Sequence, residues 1–222
     1  MITYIYPSRS RPTKFFQGLD NIIDNSYSDN FEIICSLDED DETMNNDDVR
    51  AELDTYDKVK YFYGKSSSKI NACNREASKA SEKTSILCLF SDDMRFIAFG
   101  FDDEIREAFK DNFPALDGVV HFPDSHALAR TMTMTMMGIN MYKKLGYLYH
   151  PSFLSVYADN HLTEMAKSLG KYKFINKNIL DHFHPIWNMT AWDAQYRKTE
   201  HQDVYKQDKD TYEKLKANNY GL

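Results

Sequence analysis

The chain has 222 residues, 42% of them hydrophobic and 14% aromatic, with a formal net charge of −7. That length builds one sizeable domain with a real core but not two, and the aromatic richness excludes a disordered chain. The negative balance excludes a global basic field that would hold a polyanion, while leaving room for a local basic patch.

Three cysteines, Cys35, Cys73 and Cys88, sit in apolar or helical stretches without paired spacing. They predict reduced core residues of a cytosolic protein. The N-terminal MITYIYPSRS lacks a charged leader region, and no run approaches membrane-spanning length, so a soluble, cytoplasmic protein without a membrane partner is expected.

In chain order, Ile2 to Tyr6 reads as a short strand closed by Pro7, and Pro12 suits the first turn of a helix. Phe15, Phe16, Leu19, Ile22 and Ile23 follow at helical spacing. Phe31 to Leu37 predicts a second strand, followed at once by the acidic run Asp38, Glu39, Asp40, Asp41 and Glu42, of which Glu39, Asp41 and Glu42 read as a solvated loop. Val59 to Tyr63 reads as a third strand and Ile70 to Ala80 as a helix with small residues facing inward. Ile86 to Phe90 is a short, wholly apolar run, as in a strand buried on both faces. This alternation predicts a doubly wound α/β unit with a mostly parallel sheet.

The second half is less regular. Phe101 to Phe113 is predicted as a helix, Gly118 to Phe122 as a strand, and Thr131 to Met137 as a strand with Met132, Met134 and Met136 on one core face. Asp159 to Gly170 has helical spacing stopped by glycine. Tyr172 to Ile175 is a further strand, and residues from Thr190 onward form a charged, helical tail. No repeat or linker forces a domain boundary.

The chemistry concentrates at the end of the apolar run, where SDDM places Asp92 and Asp93 side by side. At the carboxyl edge of a parallel sheet, ligands collect in the crevice, and two adjacent acids there suit a divalent metal carrying a phosphate. The plain alternative is that Asp92 caps the next helix and Asp93 is solvated. Neither GxGxxG nor GxxxxGK[ST] occurs, and the chain holds only 8 glycines. A bound diphosphate would therefore be met by a cation or by basic side chains. PSRSRP, from Pro7 to Pro12, brings Arg9 and Arg11 to that same edge. His182 and His184 are spaced i, i+2, which on an extended chain aims both rings one way.

PSRSRP after the first strand, CSLDEDD after the second, SKINACNREASKASEK before the fourth and SDDM at its end together resemble the nucleotide-binding half of GT-A glycosyltransferases. The likeness is to the large inverting group called family 2 and its small bacteriophage-type members. It continues through YKKLGYLYHPSF, YADNHL and DHFHPIW. The resemblance implies a single Rossmann-like GT-A domain over 1–195, with a nucleotide-binding half (1–100), an acceptor half carrying a smaller sheet (101–195), and a helical tail (196–222).

It further implies a nucleotide-sugar donor, expected to be UDP-linked, and a divalent ion, Mn²⁺ or Mg²⁺. Pro7, Arg9 and Arg11 would belong to the donor site. Asp38, or its close rival Asp40, would contact uracil and ribose, and Lys69, Asn71 and Asn74 would line the nucleotide. Asp92 would take the ribose or sugar, and Asp93 the metal. A late histidine returns to the metal in that family; His182 and His184 both fit, and a histidine ligand favours Mn²⁺ over Mg²⁺. The general base sits at a helix start, commonly in a Glu-Asp pair; here the position reads Ala158-Asp159, so Asp159 is the candidate and the first acid is missing.

The acceptor is expected to be a hydroxyl on a glycan, a protein or a hydroxymethylated base of phage DNA. Lys143, Lys144, Lys171, Lys173 and Lys177 would offer a basic face on that side. The alternative is a non-catalytic domain that binds nucleotide sugars or serves as a scaffold, as the missing acid suggests. A nucleotidyltransferase shares the fold and metal logic but usually carries a glycine-rich first loop, which PSRSRP does not.

Overall fold

A computed structural model describes all 222 residues. Strand β1 (Ile2–Ser8) enters the middle of a seven-stranded sheet, and helix α1 (Pro12–Asn25) starts on Pro12, whose missing N–H costs nothing in a first turn. There follow β2 (Phe31–Asp38), α2 (Asp47–Leu53), β3 (Val59–Gly64), α3 (Lys69–Arg75) and β4 (Ile86–Leu89). The second half contributes β5 (Met94–Phe96), α4 (Phe101–Asn112), β6 (Val119–His121), β7 (Met136–Gly138), α5 (Ile139–Leu145), α6 (Ala158–Ser168), β8 (Tyr172–Phe174) and β9 (Leu180–His182). Helices α7 (Ala194–Thr199) and α8 (Gln202–Ala217) form the tail.

The sheet order is β3-β2-β1-β4-β7-β6-β8, with only β7 antiparallel to its neighbours, and β5 pairs β9 in a separate small ribbon. This is the α/β, mostly parallel architecture expected from the sequence, with the small second sheet. Side chains alternate along each central strand. Tyr4, Ile33 and Cys88 pack on one face under α1, α2 and α4, while Ile5, Ile34 and Leu87 face α3, α5 and α6. All three cysteines are buried and free. No helix is long and apolar enough to cross a membrane.

Four expectations are corrected. The Ile70–Ala80 helix ends at Arg75 and continues as a short 3-10 turn. Asp41 is buried, not solvated, and accepts from the backbone N–H of Ser10 and from Thr43, tying the β2 exit to the β1 exit. The Thr131–Met137 strand shrinks to β7. Asp124 gathers the N–H groups of His126 and Ala127 and the hydroxyl of Thr133, so the intervening chain closes as a compact loop instead of a ladder. Met132, Met134 and Met136 are still core residues, but Met132 packs on the opposite side from the other two.

His121 and His161 are fully buried, and burial pushes both imidazoles down to about 4. A depressed histidine favours the fold when neutral, so this stability is complete above about pH 6.5 and is lost as pH falls towards 4. The expected slope is about 1.4 kcal/mol per pH unit per group. Urea titrations at pH 7, 6 and 5 should show a decline that His121→Gln makes shallower; an unchanged slope in that variant would contradict the assignment.

Candidate functional site

The carboxyl ends of β1, β2 and β4 open into a cavity of about 860 Å³. β4 stops at Leu89, and a tight turn, Met94 N–H to the Ser91 carbonyl, drops Asp92 and Asp93 into the interior at 4% and 6% exposure. Neighbouring elements compensate each acid. Asp92 accepts from Ser8 at 2.7 Å and from Arg11 at 2.8 Å, both delivered by the β1 exit. Asp93 accepts from the Tyr196 hydroxyl at 2.7 Å, and His182 Nε2 lies 3.4 Å from the same oxygen. The other oxygen of Asp93, Oδ1, is buried with no hydrogen-bond partner.

His182 is held from behind: its Nδ1 lies 3.3 Å from Asp124 Oδ2. Burial alone would lower its pKa, but the charge of Asp93 and the bond to Asp124 outweigh burial and raise it to about 9. Burial opposes ionisation of Asp93, yet His182 holds it well below the usual carboxylate range. Asp92 goes the other way, because burial and the adjacent Asp93 charge overcome Arg11 and Ser8 and push it up. The two acids are thus electrically distinct although adjacent.

At the exits of β1 and β2, Arg9 reaches Asp38 at 2.9 Å and Asp40 at 2.6 Å. Arg75, which lies within SKINACNREASKASEK but was not among its expected ligand-facing residues, fixes this corner. Its guanidinium donates to the carbonyls of Leu37 (2.6 Å) and Gly64 (2.9 Å), to Ser36 Oγ (3.0 Å) and to Asp38 (3.3 Å). Pro7, Arg9, Arg11, Asp38, Asp40 and Lys69 all line the cavity. Lys69 forms no ion pair, which leaves it a free cation on the wall.

Asn71 and Asn74 do not line the cavity. Asn74 instead receives the N–H groups of Leu148 and Tyr149 and donates to the Tyr149 carbonyl, pinning the connection after α5.

Asp159 lies in the first turn of α6 and lines the cavity. The helix starts one residue earlier than the glycine-stopped pattern suggested, after Tyr157 in the left-handed region (φ 61°), so Asp159 is not the capping residue. Burial raises its carboxyl above the usual range. His184 also lines the cavity, but both its nitrogens are engaged: Nε2 with Glu200 at 2.7 Å, and Nδ1 as acceptor from the Ile186 N–H at 3.3 Å.

The tail contributes more than its sequence suggested. Asp193 grips Arg11 through two bonds of 2.8 and 2.9 Å, and the Tyr196 ring lies under that guanidinium at 3.8 Å. Tyr196, Glu200 and Tyr205 form part of the cavity wall. Asp193 starting α7 was the available signal, since it accepts from the Tyr196 N–H as an N-cap does. The expected basic face does not reach the cavity: Lys171 and Lys177 pair with Asp117 and Glu104, and none of those five lysines is in its wall. Lys69, Arg130 and Lys198 supply positive charge there instead.

No group of three His, Cys, Asp or Glu side chains is assembled to hold a metal ion. The Asp93 and His182 pair nevertheless fits one. Asp93 has a buried, unpartnered oxygen, and His182 carries the carboxylate support on its far nitrogen that metal-ligating histidines usually have. Hard divalent ions need few protein ligands when phosphates and water complete the shell.

No protein-family model matches the chain, and no curated protein matches it. Among solved structures, it is similar to the mannosyltransferase PcManGT from Pyrobaculum calidifontis in complex with GDP-Man and Mn²⁺, at TM-score 0.63 and 16% identity over 79% of this chain and 54% of that one. It is also similar to S. aureus TarS 1-349 in complex with UDP-GlcNAc, at TM-score 0.61 and 13% identity over 81% and 57%. A third likeness, at TM-score 0.56 and 15% identity, covers 95% of this chain and 96% of the 4-diphosphocytidyl-2C-methyl-D-erythritol synthase from Anaerococcus prevotii. The chain spans a little over half the length of the first two.

Arg75→Met would take a donor from the carbonyls of Leu37 and Gly64, of which Gly64 keeps the Glu39 N–H, and would leave Asp38 facing Arg9 alone. The expected loss is about 2–4 kcal/mol of unfolding free energy, measured by urea denaturation. At these identities the likenesses show a shared fold, and that fold is the GT-A glycosyltransferase fold.

Proposed function

We propose that the chain is a metal-dependent glycosyltransferase that moves a sugar from a nucleotide-sugar donor to a hydroxyl acceptor. The observation that carries this is the Asp93–His182–Asp124 chain at the tip of β4, with one Asp93 oxygen buried and unpartnered beside a cavity large enough for a nucleotide sugar. The fold supports the general kind of reaction, since PcManGT binds GDP-Man and Mn²⁺ on it and TarS binds UDP-GlcNAc.

Asp93 and His182 would hold the ion. His184 would not, because Glu200 and the Ile186 N–H occupy its nitrogens. A divalent ion held there supplies Lewis-acid stabilisation of the charge that builds on the leaving diphosphate, worth several kcal/mol of barrier. Lys69, and Arg11 once the donor competes for it with Asp193, would face the diphosphate. Asp38, fixed by Arg75 and Arg9, would accept from the base or ribose, with Asp40 at the exposed end of the same cluster. Asp92, whose oxygens accept from Arg11 and Ser8, would also accept from a sugar hydroxyl.

In an inverting displacement, the acceptor oxygen bonds to the anomeric carbon as the bond to the diphosphate oxygen breaks. The hydroxyl proton passes to Asp159, whose raised pKa suits a general base. A single carboxylate does this without the neighbouring acid, so the Ala158 position does not by itself imply a non-catalytic scaffold.

Incubation with UDP-glucose, UDP-N-acetylglucosamine and GDP-mannose in turn, with Mn²⁺, should release nucleoside diphosphate from one of them, uridine-linked on this account. Asp93→Asn should lower that rate by roughly two to three orders of magnitude. An unchanged rate in Asp93→Asn would remove the metal assignment, and no release from any donor would favour the non-catalytic alternative. Chelation with EDTA should abolish release and Mn²⁺ should restore it.

A further inference from the structure

The wall that carries Asp159 is held by more than its own helix. Residues 154 to 157 run along the cavity and turn into α6 through Tyr157 at φ 61°. Three consecutive backbone donors in this loop, the N–H groups of Leu154, Ser155 and Val156, point away from the cavity. All three converge on one carboxylate, Asp208 of α8, at 2.9, 2.8 and 2.9 Å. Asp208 is completely buried, the one fully buried residue of a helix whose Tyr212 and Leu215 are half-buried against the core. A buried carboxylate is costly unless its oxygens are satisfied, and three backbone N–H groups satisfy these in the manner of an anion-binding nest.

On the other side, the Leu154 carbonyl accepts from the Ile70 N–H at 3.2 Å, at the start of α3. The loop is therefore suspended between the nucleotide-side helix and the tail, and Asp159 hangs directly from it.

We infer that Asp208 is a positioning residue for the transfer reaction: it sets the backbone of 154–157 and thereby the place of the Asp159 carboxylate in the cavity. The inference rests on the glycosyltransferase reading for what Asp159 does, but the clamp itself is measurable without turnover. It also gives the tail a role beyond packing. α8 lends Val204 and Tyr205 to the cavity wall, and through Asp208 it also fixes the 154–157 loop by three hydrogen bonds. Loss of the clamp should act on the chemical step more than on donor binding, because its three bonds go to the loop that carries Asp159 and none goes to Arg9, Asp38 or Arg75. Small displacements of a reacting group lower rates steeply, by up to about a hundredfold per ångström.

Two variants of the full chain test this. Asp208→Asn keeps the shape but turns an N–H group towards backbone donors, and Asp208→Glu keeps the charge. Hydrogen exchange followed by mass spectrometry should show the amides of 154–156 exchanging at least about tenfold faster in Asp208→Asn, with the amides of β1 and β2 unchanged as the control for folding. With Mn²⁺ and the donor that the wild type hydrolyses best, kcat should fall roughly ten- to a hundredfold while the donor KM stays within about twofold. Asp208→Glu should recover part of both. Wild-type exchange at 154–156 in Asp208→Asn would overturn the clamp. Loosened amides with unchanged kcat, or a loss confined to KM, would overturn the positioning role. A wild-type protein that hydrolyses no donor would count against the glycosyltransferase reading, and exchange would still decide the clamp.

Discussion

Two carboxylates buried side by side at the end of a central strand cannot both keep their charge without cations brought in from elsewhere. Asp92 and Asp93 impose that requirement, and the fold meets it from three directions. The β1 exit supplies Arg11 and Ser8, the β9 end supplies His182, and the tail supplies the Tyr196 hydroxyl. The little β5–β9 ribbon is the consequence: pairing Met94 with His182 brings the imidazole to Asp93. Asp124 completes the chain from behind, at no exposure at all, and doubles as the organiser of the loop before β7.

On the proposed reading, the same requirement accounts for a donor site without a glycine loop. In glycine-loop folds, backbone N–H groups meet the phosphate charge. Here the equivalent edge of the sheet carries side-chain charge of both signs, and its arginines are paired with acids: Arg9 with Asp38 and Asp40, Arg11 with Asp92 and Asp193. Such pairs are pre-positioned and exchangeable, so an incoming anion competes for the guanidinium with a carboxylate rather than building a site afresh. Lys69, without a partner, is available at once.

Much of this was legible in the residues. The apolar run ending in SDDM marked the strand tip, the alternation of apolar stretches marked the parallel sheet, and Gly170 marked the end of α6, where it takes φ 66°. Local pattern failed where a side chain acts over distance. Asn74 looked like a ligand-facing residue on a helix, but it serves backbone atoms 74 and 75 positions away. Asp41 looked like one more solvated acid, but it caps the Ser10 N–H across 31 residues. Asp124, Tyr196 and Asp208 carry no motif, and Arg75 stands unmarked inside SKINACNREASKASEK, because the partners that matter are set by tertiary packing. The two histidines were indistinguishable by spacing. What separates them is that Glu200, sixteen residues on, takes the Nε2 of His184.

The central claim is that Asp93 and His182 hold a divalent ion which shares the diphosphate of the donor. Its most direct test is a crystal of the full chain soaked with Mn²⁺ and UDP, with data collected at the manganese absorption edge. The account predicts an anomalous peak in contact with the free Asp93 oxygen and His182 Nε2 and with the diphosphate, the proton between His182 and Asp93 having been displaced. Ordered UDP in the cavity with no anomalous peak at Asp93, or a peak on His184 and Glu200 instead, would contradict it.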